Sequence, residues 1–345
     1  MAPINLPAGA LERPLPLSPC FSPRPWGGDS LERLFNKNTP AGRGAIGESW
    51  ELSDHPHGRS SVRLGGELGE VLFGDLVRSH PREMIGQAEA PEKYPLLVKF
   101  IDAEGDLSVQ VHPDDAWCRT NGHPDRGKSE CWYVLDCRPG TTVVYGFRAG
   151  VTREAATRAC QDGTLRDLLV YKEVHPGCFL TIPPGCVHAM LAGTLVCEIQ
   201  QSSDTTFRLH DWDRQPPRPL HVEESMQVAR FDSRELPNIQ RLTDKPGRLT
   251  DGPVHAYELL TNDFFQVTAF DLRAGAAGPA EGLLSPTGAI LTVVEGGGWL
   301  ETGHGQEPLR RGETWFLPAA MKGETALSAE ASGLRLLRTV SLELG

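Results

Sequence analysis

The sequence predicts a mainly β protein, a barrel or sandwich with helices as insertions. Three observations carry this. Short apolar runs recur along the chain, each bounded by turn residues. The 37 glycines and 28 prolines among 345 residues are spread rather than clustered, as many short strands and turns require. A faint internal repeat is also present: HPGCFLTIPPGCVHA (175–189) and LRRGETWFLPAAMKGE (309–324) share the plan glycine, apolar strand, proline, small residues. In that alignment His188 falls opposite Gly323.

The length allows a large core and two domains. The formal net charge of −11, with no basic stripe, argues against a nucleic-acid partner. An acidic chain that takes a phosphate ester then needs a local basic pocket. No run is long and apolar enough to span a membrane, and the N-terminus lacks the charged-then-apolar plan of a signal peptide. The eight cysteines form no CxxC pair and lie in apolar context, which fits free thiols in a reducing cytoplasm. No sequence feature sets an oligomeric state.

In chain order, residues 1–20 are proline-rich and read as an irregular lead-in. SLERLF is a short helix with Ser30 as its cap. GESWELSDHPHGRSSVRLGG alternates strands and turns, and FGDLVRSHPREMIGQ reads as a broken helix. YPLLVKFIDA (94–103) is an apolar strand with one charge inside it, Lys99. In LSVQVHPDD, Ser108, Gln110 and His112 alternate with Leu107, Val109 and Val111, so the three polar side chains share one face. A Ser/Gln/His face is what a strand lining a polar cavity would show. The following HPDD stops the strand and opens a helix over 114–121. Residues 127–147 read as a strand, a Pro-Gly turn and a strand. Two short helices follow, capped by Thr152 and Thr164; strands return over 174–214, and 220–229 is helical. A second β-rich region begins near Leu242, with AILTVVEGGGWLET and LRRGETWFLPA as its clearest strands. The expected division is 1–20 lead-in, 21–240 metal-binding catalytic domain, and 241–345 degenerate β domain.

The chemistry concentrates in one constellation. Gln110 and His112 lie two apart on one strand and can reach one ion. In Gly177-x5-Pro183-x-Gly185-x2-His188, a strand enters a Pro-Pro-Gly turn and the next strand returns His188 inward. A lone strand histidine is more often an ordinary core residue than a ligand; joint spacing is what singles out His112 and His188. The other nine histidines read as ordinary, and Cys186 as a thiol rather than a ligand. Trp26 and Trp50 fit sugar stacking and structural burial equally well.

The glycine–proline–histidine spacing resembles the second half of the cupin signature, and Gln110-x-His112 followed by Glu130 resembles the first half. Four ligands of type Gln, His, Glu, His make a compact divalent site, with Zn²⁺ suited to two imidazoles and oxygen donors. Taken together, PLLVKFIDAEGDLSVQVHPDD, GKSECWYVL, TIPPGCVHA and EIQQSSDTTFRLHDWDR resemble type I phosphomannose isomerases of the shorter bacterial kind; GESWELS also fits. The resemblance covers roughly residues 20–345 and is strongest over 94–214. It implies two cupin-like jelly-roll barrels and one Zn²⁺ per chain on Gln110, His112, Glu130 and His188. It also implies a catalytic arginine at Arg208, substrate contacts at Lys99, Ser108 and Lys128, and an acidic residue near the reacting end at Asp204. Lys128 and Asp204 are then the two candidates for the base, and the resemblance does not choose between them. One departure stands out: some larger members carry a histidine just before the lysine, where this chain has Gly127. The implied substrate is a small sugar phosphate, interconverted between mannose 6-phosphate and fructose 6-phosphate through an enediol. A cupin isomerase for another sugar and a non-catalytic sugar-binding cupin remain as alternatives. Lys99 and Ser108 favour a phosphorylated substrate; Arg208 together with four ligands favours turnover.

Overall fold

The computed structural model describes residues 4–40, 45–232, 236–241, 249–250 and 252–344. The start of the second β region expected near Leu242 lies outside these. Three sheets dominate. A seven-stranded sheet holds, from one edge, Gln240–Arg241, Cys178–Ile182, Glu130–Cys137, Thr194–Gln201, Leu96–Ala103, Ile46–Leu52 and Cys20–Gly28. A five-stranded sheet runs Leu169–Glu173, Thr142–Phe147, His188–Met190, Val109–Val111, Phe207–His210. A ten-stranded sheet carries Val254–Thr261 and every described strand after it, together with Leu15–Ser18, Ser61–Gly65 and Gly69–Leu72.

The seven-stranded sheet is the middle layer, and its two faces explain its sequences. Leu96, Val98 and Phe100, with Cys131, Tyr133, Leu135, Cys197 and Ile199, pack towards the ten-stranded sheet against Val267, Ile290, Phe316 and Leu337. Ile101, Ala103, Trp132, Val134 and Val196 face the five-stranded sheet. Strands covered on both sides read as continuous apolar runs, which is why Lys99 and Glu198 stand out within them. The five-stranded sheet is covered in turn: Val109 and Val111 pack on Ala156, Ala159, Leu165 and Met226 of the helical segments.

The mainly β, cupin-like fold is as expected: the seven- and five-stranded sheets face one another, and among the described residues no strand pairs across their edges. Some details differ. The Pro139-Gly140 turn joins strands in different sheets, carrying the chain from one layer to the other. The lead-in is not wholly irregular. Leu15–Ser18 pairs with Thr314–Leu317 on one side and Ser61–Gly65 on the other, burying Leu15 and Leu17; the proline-rich composition hides this short alternation. Ser30 is the first helical residue rather than the cap, and its N–H donates to Asp102 Oδ2 at 2.7 Å. Thr152 does cap Arg153–Asp162, accepting from Ala155 N–H at 3.2 Å, whereas Thr164 precedes a 3₁₀ turn and makes no side-chain cap bond. The repeat has a structural counterpart in Gly177 and Gly312, at φ 84° and 86°, a left-handed state that glycine adopts without strain.

Candidate active site

The candidate site lies between the seven- and five-stranded sheets, and strand register builds it. On the middle layer Trp50, Lys99, Glu198 and Trp132 sit side by side across four strands. Facing them, His188, Gln110 and Arg208 form a row across three strands. Residues 50 to 208 in the sequence thus become neighbours on two opposed walls.

His112, Glu130 and His188 form the metal-type cluster among the described residues, with one donor atom of each within 4.8 Å of the others, and all three buried. Their hydrogen bonds aim them at a common point. His112 Nδ1 donates to Thr205 O at 2.8 Å and His188 Nδ1 to Cys186 O at 2.9 Å. Each ring is thereby fixed in the tautomer that leaves the Nε2 lone pair free for an ion, an arrangement typical of ligating histidines. Neither oxygen of Glu130 makes a hydrogen bond of acceptable geometry; its neighbours are Lys128 Nζ at 2.5 Å, His188 Nε2 at 3.2 Å and His112 Nε2 at 3.7 Å. A buried carboxylate facing two imidazole Nε2 atoms, with the Lys128 ammonium also 3.3 Å from His112 Nε2, fits a divalent cation. Gln110 places its amide 3.4 Å from His188 Nε2, and an amide flip would present its oxygen there. Cys186 is a buried thiol pushed up by burial; it contributes its carbonyl to His188 rather than a thiolate to an ion.

Beside the cluster opens a cavity of about 290 Å³, lined by Lys99, Ser108, Gln110, Lys128, Asp204 and Arg208 together with Arg24, Trp26, Glu48, Trp132, Glu198, Thr206 and Arg218. Every candidate residue named from the sequence therefore lies in the cluster or on the cavity wall. Five cationic side chains (Arg24, Lys99, Lys128, Arg208, Arg218) face three acidic ones (Glu48, Glu198, Asp204), so the cavity is locally basic in an acidic chain. Lys99 is not a free cation: its ammonium lies 3.6 Å from Glu198 Oε1 and 4.6 Å from the Trp50 ring centroid. Trp50 is buried beneath it and donates to Glu48 Oε2 at 2.8 Å, while Trp26 reaches the cavity wall.

The charges compensate one another. Burial opposes ionisation of Glu130, yet the Lys128 ammonium beside it holds its carboxyl well below the usual range. Burial would lower Lys128, but Glu130 and Glu198 raise it, so it is an ammonium at neutral pH. Burial and then the nearby Glu130 charge raise Glu198, against Lys128 and Lys99. For Asp204 burial is outweighed by Lys99, the His57 hydrogen bond and Lys128, which keep it low and ionised. Arg208 donates from Nη1 to Pro219 O at 2.8 Å, and its Nε is buried without a partner.

The loop that presents Lys128 and Glu130 is held from both β regions. Arg126 bonds Asp115 at 3.2 Å and Glu343 at 2.5 and 3.0 Å, and Gly127 N–H donates to Asp115 Oδ1 at 2.8 Å. A Cβ at Gly127 would lie 2.4 Å from Asp114 C and Asp115 N, so no side chain fits before Lys128. The glycine before Lys128 is thus a packing requirement of this chain. Sequence reasoning missed Arg24, Glu48, Trp132, Glu198 and Arg218. The detectable signal was charge inside doubly buried strands, which marked Lys99 and applied equally to Glu198.

An open cupin-type double sheet with a His–Glu–His cluster beside a basic cavity defines a metal-binding enzyme scaffold. Comparison with known proteins narrows it. The family model for the phosphomannose isomerase type I catalytic domain matches residues 15–133. The mannose-6-phosphate isomerase ManA of Bacillus subtilis (strain 168) is 35% identical over 323 residues, 92% of this chain and 96% of that protein. A crystal structure of the mannose 6-phosphate isomerase from Bacillus subtilis superposes with a TM-score of 0.81 at 29% identity, covering 95% of this chain and 99% of that one. A zinc-bound mannose 6-phosphate isomerase shares the fold at 19% identity, with a TM-score of 0.72 over 95% of this chain and 99% of that one. The chain belongs to the type I mannose-6-phosphate isomerase family.

Proposed function

We propose that the protein is a metal-dependent aldose–ketose isomerase that interconverts mannose 6-phosphate and fructose 6-phosphate through an enediol; its relatives are named mannose-6-phosphate isomerases. The observation that carries this reading is the His112–Glu130–His188 cluster opening directly onto a cavity with a cationic excess. Two imidazole nitrogens, a carboxylate and the Gln110 amide suit Zn²⁺, one per chain, the metal named for a relative of the same fold. When bound, Zn²⁺ supplies Lewis acidity towards the sugar oxygens at the reacting carbons.

The chain's own residues do the rest. Lys99 and Ser108 receive the phosphate end, where the cationic lining offsets its charge. Removal of the C2 proton builds negative charge on oxygen, and the Arg208 guanidinium opposes that charge from its fixed place beside Gln110. Asp204, ionised at neutral pH, takes the C2 proton and returns it at C1, ending as the carboxylate it began; the Lys128 ammonium gives a proton to O1 and recovers one from O2. We take 21–240 as the catalytic domain and 241–345 as a degenerate β domain behind it; the boundary is crossed by Ser61–Gly65 and Gly69–Leu72, which lie in the ten-stranded sheet, and by the Arg126–Glu343 bridge. All eight cysteines are free thiols, and no described helix is long and apolar enough to cross a membrane; both fit a cytoplasmic enzyme. A coupled assay on the purified protein, with mannose 6-phosphate and with unphosphorylated mannose, before and after chelation, tests the reading. Turnover of the phosphorylated sugar that chelation abolishes is expected; activity indifferent to phosphate or to chelation would overturn it.

A further inference from the structure

Outside the cavity wall, Asp204 belongs to a closed ring of four hydrogen bonds. His57 Nδ1 meets Asp204 Oδ2 at 2.8 Å, and Asp204 N–H donates to Asp125 Oδ2 at 2.8 Å. His55 Nε2 meets the same Asp125 oxygen at 3.2 Å, and His57 N–H donates to His55 Nδ1 at 3.2 Å. The ring fixes the protons. His55 Nδ1 accepts, so its Nε2 carries hydrogen and donates to Asp125. An ionised Asp204 can only accept, so His57 Nδ1 carries hydrogen and donates to it. The two imidazoles meet edge to face, 4.7 Å apart.

This ring gives Asp204 a support that its own segment lacks. Asp204 lies in the irregular stretch between Thr194–Gln201 and Phe207–His210, where no ladder fixes its side chain. His55 and His57 instead ride on a two-stranded hairpin in which Asp54–His55 pairs with Gly58–Arg59. The hairpin is tied to the body by Asp54, which accepts from Arg78 at 2.7 and 3.0 Å and from Tyr94 N–H at 3.2 Å. Lys93 adds a bond to Asp125 at 3.0 Å. His57 itself is largely exposed and does not line the cavity.

The geometry points to His57 as a positioning residue: the 54–59 hairpin holds the Asp204 carboxylate at the cavity wall, and His57 acts on the reaction through Asp204 without touching substrate. This rests on the reading of Asp204 as a proton-transfer group. A charge-assisted hydrogen bond from a tethered donor sets both the rotamer and the position of a catalytic carboxylate, and small displacements of such a group are costly to turnover.

The test is a double-mutant cycle on the metal-loaded full chain, with metal content and circular dichroism checked for each variant. His57→Ala should lower kcat for mannose 6-phosphate by about tenfold with little change in KM, the pattern of a misplaced reacting group. His57→Asn, whose amide N–H can take the place of Nδ1–H, should restore most of that loss. In an Asp204→Asn background, His57→Ala should cost nothing further, because its effect passes through the carboxylate. Wild-type kcat for His57→Ala alongside a slow Asp204→Asn would overturn the proposal and leave the reading of Asp204 standing. Losses that simply add in the double variant, or a His57→Asn as slow as His57→Ala, would also overturn it. Full activity in Asp204→Asn would withdraw the role of Asp204 and that of His57 together, leaving the metal site untouched.

Discussion

Replacing Arg208 by alanine separates catalysis from binding most cleanly. The side chain makes one described hydrogen bond, Nη1 to Pro219 O at 2.8 Å, and its nearest cationic neighbour by charge effect is Arg218. The residue is only partly buried, so water can replace the lost bond, and the stability cost is about 1 kcal/mol. Loss of a guanidinium also relieves repulsion from Arg218. The ion cluster is not touched: His112, Glu130 and His188 have their own supports. The effect on turnover is larger. The charge that Arg208 opposes exists mainly in the enediol-like transition state, so its removal acts on kcat rather than KM. Loss of one such preorganised donor costs on the order of 10²–10³ in kcat, about 2.7–4 kcal/mol. Steady-state kinetics with mannose 6-phosphate, on protein of verified zinc content, measures this. A sharp rise in KM at unchanged kcat would make Arg208 a phosphate clamp and refute the reasoning.

Lys99→Ala should behave differently, raising KM more than it lowers kcat, and it should also destabilise. Its ammonium compensates the buried Glu198 at 3.6 Å, and Lys128 at 3.7 Å would be left as the cation beside it, with the Trp132 Nε1–H bond at 3.0 Å, so denaturant melts should show a loss of about 3 kcal/mol. An unchanged midpoint would show that Lys128 suffices. Gly127→Ala forces a Cβ to 2.4 Å from backbone atoms of Asp114 and Asp115; thermal melts should show destabilisation on the order of 1–3 kcal/mol, with kcat falling as Lys128 moves. For Asp125, burial is outweighed by bonds from His55, Asp204 N–H and Lys93, which hold the carboxyl far below its ordinary value. The unfolded chain therefore binds the proton first, so this stabilisation is present above about pH 4 and is lost on further acidification. Urea titrations from pH 6 to pH 3 should show a shallower acid decline in Asp125→Asn than in the parent; parallel curves would contradict the assignment.

The parts of this molecule legible in the sequence are those written in local spacing. Gln110-x-His112 and the glycine–proline–histidine turn before His188 declare their faces within a few residues, because strand alternation and a tight turn are local rules. The helices over 115–120, 153–162 and 222–228 announced themselves in the same way. What was illegible depends on register between distant strands. Glu198 falls beside Lys99 and Trp132, and Arg208 beside Gln110, only once the ladders form. His57 looked like any turn histidine until the hairpin brought it to Asp204, 147 residues later. Leu15–Ser18 is a strand because two partners from far along the chain flank it, and nothing in a proline-rich tetrapeptide indicates that. How the expected cupin-like fold divides into facing sheets is likewise set by which edges meet, which alternation does not encode.

The central claim is that one divalent ion on His112, Glu130 and His188, aided by Gln110, makes this cavity an isomerase. The most direct measurement is stoichiometric reconstitution: chelated protein is titrated with Zn²⁺ while bound metal and mannose 6-phosphate turnover are followed on the same samples, for the parent and for His188→Ala. The account predicts that activity in the parent rises in proportion to bound zinc and reaches its plateau at one ion per chain. It predicts that His188→Ala neither retains zinc nor recovers activity. Full zinc binding by His188→Ala, or a parent whose turnover does not follow its metal content, would contradict it.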